Sequence, residues 1–233
     1  MKKGKLLSLL LAAVVGAGSL AMTAQAAPAE LPAQTAKTAA FVKASDWVLK
    51  DDWAIFALGR NQEEGCEKLY EDYYQGVLAL LADPAKLIPS DYIRLSLSLT
   101  AIGIDPRNIE GNDLLEKIDQ ADREMYFKMS TSSLAYALAL MERYPDSFSG
   151  TLKEDTIQKI LGAQQADGSF DYTVGGGYPD PDSTAQAMQG LMLLGDTYAS
   201  EIQAAVDWLK AQMNEDGAIL NWGAANPSST AQV

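Results

Sequence analysis

Residues 164–190 read QQADGSFDYTVGGGYPDPDSTAQAMQG, and a shortened echo, QMNEDGAILNWGAANPSSTAQV, occupies residues 212–233. Asp167-Gly168 matches Asp216-Gly217, a spacing of 49 residues. Ser183-Thr184-Ala185-Gln186 matches Ser229-Thr230-Ala231-Gln232, a spacing of 46. The connecting loop shortens by three residues while its landmarks survive. Two copies of one unit, a little under 50 residues apart, are the mark of a repeat architecture.

Outside the copies the apolar residues recur at helical spacing. Ala40, Val42, Trp47 and Val48 predict a first helix, and Trp53, Phe56 and Ala57 a second. Residues 66–82 predict a third, with Leu69, Tyr73, Val77 and Leu80 on one face. From Ser90 to Gly103 the period is ambiguous. Leu95, Leu97 and Leu99 alternate with serines as in a strand, whereas Tyr92, Leu95, Leu99 and Ile102 fit a helix. The helical neighbours, a cap at Ser90 and a C-terminal stop at Gly103 favour the helix. A short helix is expected near 112–118 and a longer one from Ser132 to Arg143, with Leu134, Leu138 and Met141 inward. Ser or Thr followed three residues later by Glu or Gln marks capping boxes at Thr151/Glu154, Ser183/Gln186, Ser200/Gln203 and Ser229/Gln232. The Ser200 helix places Ile202, Val206, Leu209 and Met213 on one stripe. The expected fold class is all-α, with strands nearly absent.

The start of the chain is of another kind. Lys2, Lys3 and Lys5 precede an apolar run from Leu6 to about Gly16, followed by Ala24-Gln25-Ala26. That order describes a cleaved secretory signal over 1–26, with secretion or surface display as the expected destination. The run is too short for a membrane span of ~20 residues. Residues 27–36, rich in Ala and Pro, read as a linker, and 37–233 as the repeat domain. The formal charge of −13 sets aside phosphate backbones and anionic lipid surfaces as partners. One cysteine, Cys66, forms no internal disulfide and reads as a buried small residue. With no histidine anywhere, His-based triads and His metal ligands are excluded.

Gln164 to Phe170 resembles the repeat of the terpenoid cyclase and protein prenyltransferase superfamily, which has Gln, then Gly, then an aromatic two residues on. Phe170 stands where that aromatic is usually Trp, and Ile219 stands there in the second copy. Residues 180–185, Asp-Pro-Asp-Ser-Thr-Ala, resemble the Asp-x-Asp-Asp-Thr-Ala motif of class II cyclases, with Ser183 in place of the second Asp of the pair. Residues 90–108 look like a stretch of the secreted bacterial members, which often carry a further domain related to cobalamin carriers. The resemblance covers most of 40–233 and is specific over 164–233. It implies an α/α toroid of antiparallel helix pairs in two concentric rings around a ligand cavity. Roughly five of six pairs are expected here, so the ring is read as truncated before closure, with a C-terminal part missing.

By that resemblance Asp182 stands at the place of the acid that protonates an alkene or epoxide, a job needing a strong carboxylic acid in an apolar cavity. Its other reading is helix capping, and Ser228 at the matching place of the second copy favours the cap. Asp180 and Asp182 are also candidate ligands for calcium, with loop carbonyls. The prenyltransferase branch binds zinc through Asp, Cys and His, which a chain without His does not offer. Gly175-Gly176-Gly177 lacks the following Lys and preceding strand of a phosphate loop, and reads as a loop at a ring end that carries binding residues. Phe170, Tyr172, Tyr178 and Trp222 are candidate aromatic contacts for a ligand, their alternative being core packing. Trp47, Trp53 and Trp208 read as packing.

The reading favoured by these features is an exported, non-catalytic toroid module that binds a small molecule, apolar or corrinoid-like, through Phe170, Tyr172, Tyr178, Asp180, Asp182 and Trp222. One alternative is a class II terpene cyclase with Asp182 as general acid. Another is a carbohydrate-active toroid, which needs two carboxylates ~5–9.5 Å apart across a sugar cleft; Asp180 and Asp182 stand too close in sequence to flank a substrate.

Overall fold

A computed structural model describes residues 31–233; the expected signal segment (1–26) and the first four residues of the expected linker lie outside the described residues. The fold is all-α. Eleven α-helices occur among the described residues, and the one sheet there is a two-residue hairpin. No described helix is long and apolar enough to cross a membrane. The chain divides into two compact units, one ending at Lys117 and the other starting at Ile118.

The first unit starts with α1 (Leu31–Ala44), so residues 31–36 of the expected linker are helical. The Ala-rich composition favours helix, and Pro32 falls in the first turn, where proline costs no hydrogen bond. A 3₁₀ turn (Val48–Lys50) follows. Then α2 (Asp52–Arg60) is capped by Asp51, whose carboxylate accepts from the N–H of Trp53 and Ala54. On α3 (Glu67–Leu81) the buried stripe is Tyr73, Val77 and Leu81, a four-residue step. Leu80, expected inward, is 50% exposed because it lies one position off that stripe. The ambiguous stretch is helical, α4 (Pro89–Ala101), and is buried round most of its circumference. Ser90 does not cap it. Pro89 takes the first helical position, which suits its fixed φ, and Asp91 accepts from the Ile88 N–H at 2.9 Å.

Helix α2 packs on α4 closely enough that a Cβ on Gly59 would lie 2.8 Å from the Ala101 carbonyl. Tyr73 donates to Asp52 Oδ1 (2.8 Å) and Arg94 Nε to Asp52 Oδ2 (3.1 Å), tying α3 and α4 to the first residue of α2. Burial, with the Asp52 charge behind it, pushes the Tyr73 phenol far up. Cys66 is buried at the N-cap of α3. Trp47 and Trp53, read as packing, are 41% and 36% exposed; Trp53 meets Phe56 edge-on instead of entering the core.

The division between units falls within α5 (Leu114–Asp119). The second unit then has α6 (Arg123–Phe127), too short for its periodicity to show in sequence and set by an Asp122 cap. Next come α7 (Thr131–Arg143), α8 (Leu152–Leu161), α9 (Pro181–Met192), α10 (Ala199–Ala211) and α11 (Pro227–Gln232). Helix α9 packs on α7, α10 and α11, and α7 packs on α8. Small residues permit the α7–α9 crossing: a Cβ on Gly190 would stand 3.1 Å from that of Ala135.

The two sequence copies build the same turn and cap. Gly168 N donates to Gln165 O and Gly217 N to Asn214 O, both 3.0 Å, with each glycine at positive φ (93° and 82°) as such a turn requires. Phe170 N donates to Thr184 Oγ1 and Ile219 N to Thr230 Oγ1, both 2.9 Å. Each threonine hydroxyl in turn donates to the carbonyl four residues back, of Asp180 or Asn226. The caps are Asp180 and Asn226, not Ser183 and Ser229 as the capping boxes imply. Pro181 and Pro227 fix φ at the first helical position and start each helix earlier, which moves both serines to the third helical position, where they are buried. Ser200 likewise lies inside α10, whose N-cap is Tyr198, and the Thr151 hydroxyl bonds Asp155 rather than the backbone.

Candidate functional site

The loop between α8 and α9 hangs on one carboxylate. Asp171 has no solvent exposure. Its Oδ2 accepts from Gln165 Nε2 (2.7 Å) and from the Gly177 N–H (2.9 Å), and its backbone carbonyl accepts from Thr131 Oγ1 (2.7 Å). Its Oδ1 is buried with no hydrogen-bond partner. A buried carboxyl oxygen without a donor costs stability. Asp171 fastens the Gly-rich segment to α7. Sequence reasoning missed it, because a lone Asp after an aromatic carries no signal. The available cue was Leu220 at the matching place of the second copy.

Asp180 spends its carboxylate as the α9 cap, accepting from the Ser183 N–H at 2.8 Å. Asp182 sits at the second helical position with Oδ1 buried and unpartnered. It lies near enough to Tyr136 of α7 for its charge to act on that phenol. Burial first, and the Asp182 charge second, push the Tyr136 phenol up to about 12, so the ring keeps its proton at neutral pH. Beside them the Ser132 and Ser183 hydroxyls stand 3.4 Å apart. A carboxylate oxygen without a donor, a protonated phenol and two hydroxyls are therefore grouped where α7 meets α9. Such a group can accept from a ligand's N–H or O–H.

The aromatic candidates separate by exposure. Phe170 has none: it is a core side chain, and its backbone N–H is bonded to Thr184. Tyr172 and Tyr178 are 57% and 66% exposed on the Asp171 loop, and Trp222 is 89% exposed. Trp222 tips the hairpin of β1 (Leu220–Asn221) and β2 (Ala224–Ala225) at φ 55°, a left-handed conformation costing roughly 1–2 kcal/mol for a side chain this large. Among the described residues no group of three or more His, Cys, Asp or Glu side chains comes together to hold a metal. No family model, curated protein or solved structure matches this chain.

Proposed function

We propose that the chain is an exported α/α-toroid module that binds an apolar or corrinoid-like small molecule without transforming it. Support for the toroid comes from the layering of the second unit. Alternate helices α7, α9 and α11 contact in series, while α8 packs on α7 and α10 on α9. The observation that carries the binding reading is Trp222. Its indole is almost wholly in solvent, so it returns no packing for its strained backbone. A large flat side chain kept on those terms at a loop tip is a contact residue, with Tyr172 and Tyr178 on the matching loop of the first copy. Titrating the protein with a cobalamin or cobinamide and following tryptophan fluorescence tests this. Saturable quenching that disappears in Trp222→Ala, with thermal stability unchanged or raised, is expected. A flat titration of folded wild type defeats the reading.

A second reading, the class II terpene cyclase with Asp182 as general acid, draws on one feature: the buried, unpartnered Asp182 oxygen beside Tyr136. Conversion of squalene by wild type and not by Asp182→Asn would establish it. Unchanged squalene with both removes it. Export is tested by recovering the protein from a secreting bacterial culture and sequencing its N-terminus, expected at Ala27.

A further inference from the structure

The first unit holds a concavity lined by none of the candidate site residues of the second unit. Leu81 at the end of α3, Pro84 and Ala85 in the following turn, Tyr92 on α4 and Leu114 on α5 wall a half-open cleft of about 390 Å³. Small-molecule sites run roughly 300–1,000 Å³ and are mostly carbon-lined with a few polar groups, which describes this one. Burial, helped by the Asp91 charge, raises the Tyr92 phenol, so that wall residue stays uncharged. Two other polar residues line the cleft, Asn112 and Lys117. Asn112 Nδ2 already donates to the Ile109 carbonyl at 3.1 Å.

Lys117 is thus the one charged group on the lining, and it forms no ion pair with any described residue. Two acids adjoining the cleft in sequence are engaged elsewhere. Asp83, before Pro84, pairs with Lys86 at 3.3 Å. Asp113, before Leu114, accepts from the Leu115 and Glu116 N–H groups at 2.9 and 3.0 Å. An apolar slot rimmed by one unengaged cation, in a chain of formal charge −13, selects by shape for a hydrocarbon and by charge for an anion. We propose that this cleft binds a single-chain amphiphile with a monoanionic head, its tail against Leu81, Ala85, Tyr92 and Leu114 and its head on Lys117 Nζ. The proposal is independent of the loops and ligand of the second unit.

Calorimetric titration of the whole protein with hexanoate, octanoate and decanoate, each below its micellar concentration, tests it. One saturable site is expected, tightening about threefold to fourfold per added methylene until the cleft is filled. Decyltrimethylammonium, with the same tail and the opposite charge, is expected to bind at least about fivefold to tenfold more weakly than decanoate. Lys117→Glu should weaken decanoate about fivefold to tenfold with an unchanged circular dichroism spectrum, since Lys117 is an exposed side chain. Ala85→Trp, which fills the cleft, should abolish binding, and Trp222→Ala should leave it untouched. Absence of heat with folded wild type overturns the proposal. So does affinity indifferent to chain length, affinity indifferent to Lys117→Glu, or loss of binding in Trp222→Ala.

Discussion

The two turn-and-cap copies, 163–184 and 212–230, are one backbone design in two settings. In the first, Phe170, Ser169 and Thr184 have no exposure, and Gly168 presses on α10. In the second, Thr230 is exposed and nothing lies within 4 Å of where a Gly217 Cβ would be. The same hydrogen bonds recur in both, so they are what the repeat requires. Asp171 and Asp182, replaced by Leu220 and Ser228, are additions that the backbone does not need. Duplication within one chain thus separates architecture from chemistry: what both copies share folds, and what one copy adds is the candidate for function.

The contrast is sharpest at the glycines. A Cβ on Gly168 would fall 2.4 Å from the Ala204 carbonyl oxygen, at a φ of 93° that side chains rarely adopt. Gly168→Ala is expected to cost about 3 kcal/mol or more, from backbone strain plus overpacking. Gly217→Ala, strained but unobstructed, should cost about 1–2 kcal/mol. Urea denaturation of the two variants measures the gap, and equal losses would show that the turn of the first copy does not abut α10 as described.

Next in size are the threonines. Thr184→Val leaves the buried Phe170 N–H without an acceptor, an expected loss of about 2–3 kcal/mol. At Thr230 water can replace the hydroxyl, so Thr230→Val should cost about 1 kcal/mol or less. Hydrogen exchange at Phe170 and Ile219 gives the finer reading: protection should fall at the altered copy and hold at the other.

How much of this was legible in sequence follows the same division. Helix existence was, because core stripes such as Leu134, Leu138 and Met141 repeat at 3.6 residues and the structure buries all three. Helix starts were not. Ser183 and Ser229 look like caps, yet a proline two residues earlier decides where the helix begins, and the side chain before each proline, Asp180 or Asn226, takes the cap. The loop placement of Tyr172 and Tyr178 was readable from the glycines between them. Whether Phe170 faced a ligand or the core was not, because that depends on what packs over it. Nor was the cleft beside Lys117, whose walls come from three helices and a turn.

A smaller effect separates the copies at low pH. Asp167 accepts from the Ser169 hydroxyl (2.6 Å) and N–H (3.0 Å), and the hydroxyl bond foremost holds its carboxyl below the ordinary 3.8. A depressed folded-state value gives stability that is present above 3.8 and lost as pH falls through the folded value. The stability difference between wild type and Asp167→Asn should therefore shrink as pH drops below 3.8. The second copy has Ala218 where the first has Ser169 and offers its turn aspartate no hydroxyl. Urea midpoints measured across that range compare wild type with the variant.

The smallest expected change in stability concerns the addition of most chemical interest. Asp182→Ser imports the residue of the second copy. It removes a negative charge from the first turn of α9, worth about 0.3–1 kcal/mol, and also a buried oxygen without a donor, which offsets part of that loss. Net stability should move by less than about 1 kcal/mol. The ultraviolet titration of Tyr136 should move more clearly. Asp182 contributes to holding that phenol at about 12, so its removal should lower the midpoint, while burial, the larger cause, keeps it above the ordinary 10.0. The signal is isolated by subtracting the titration of Tyr136→Phe. A midpoint that stays put in Asp182→Ser would mean that the two side chains do not share one site, and with it would go both the donor-seeking group at the α7–α9 junction and the general-acid reading built on it.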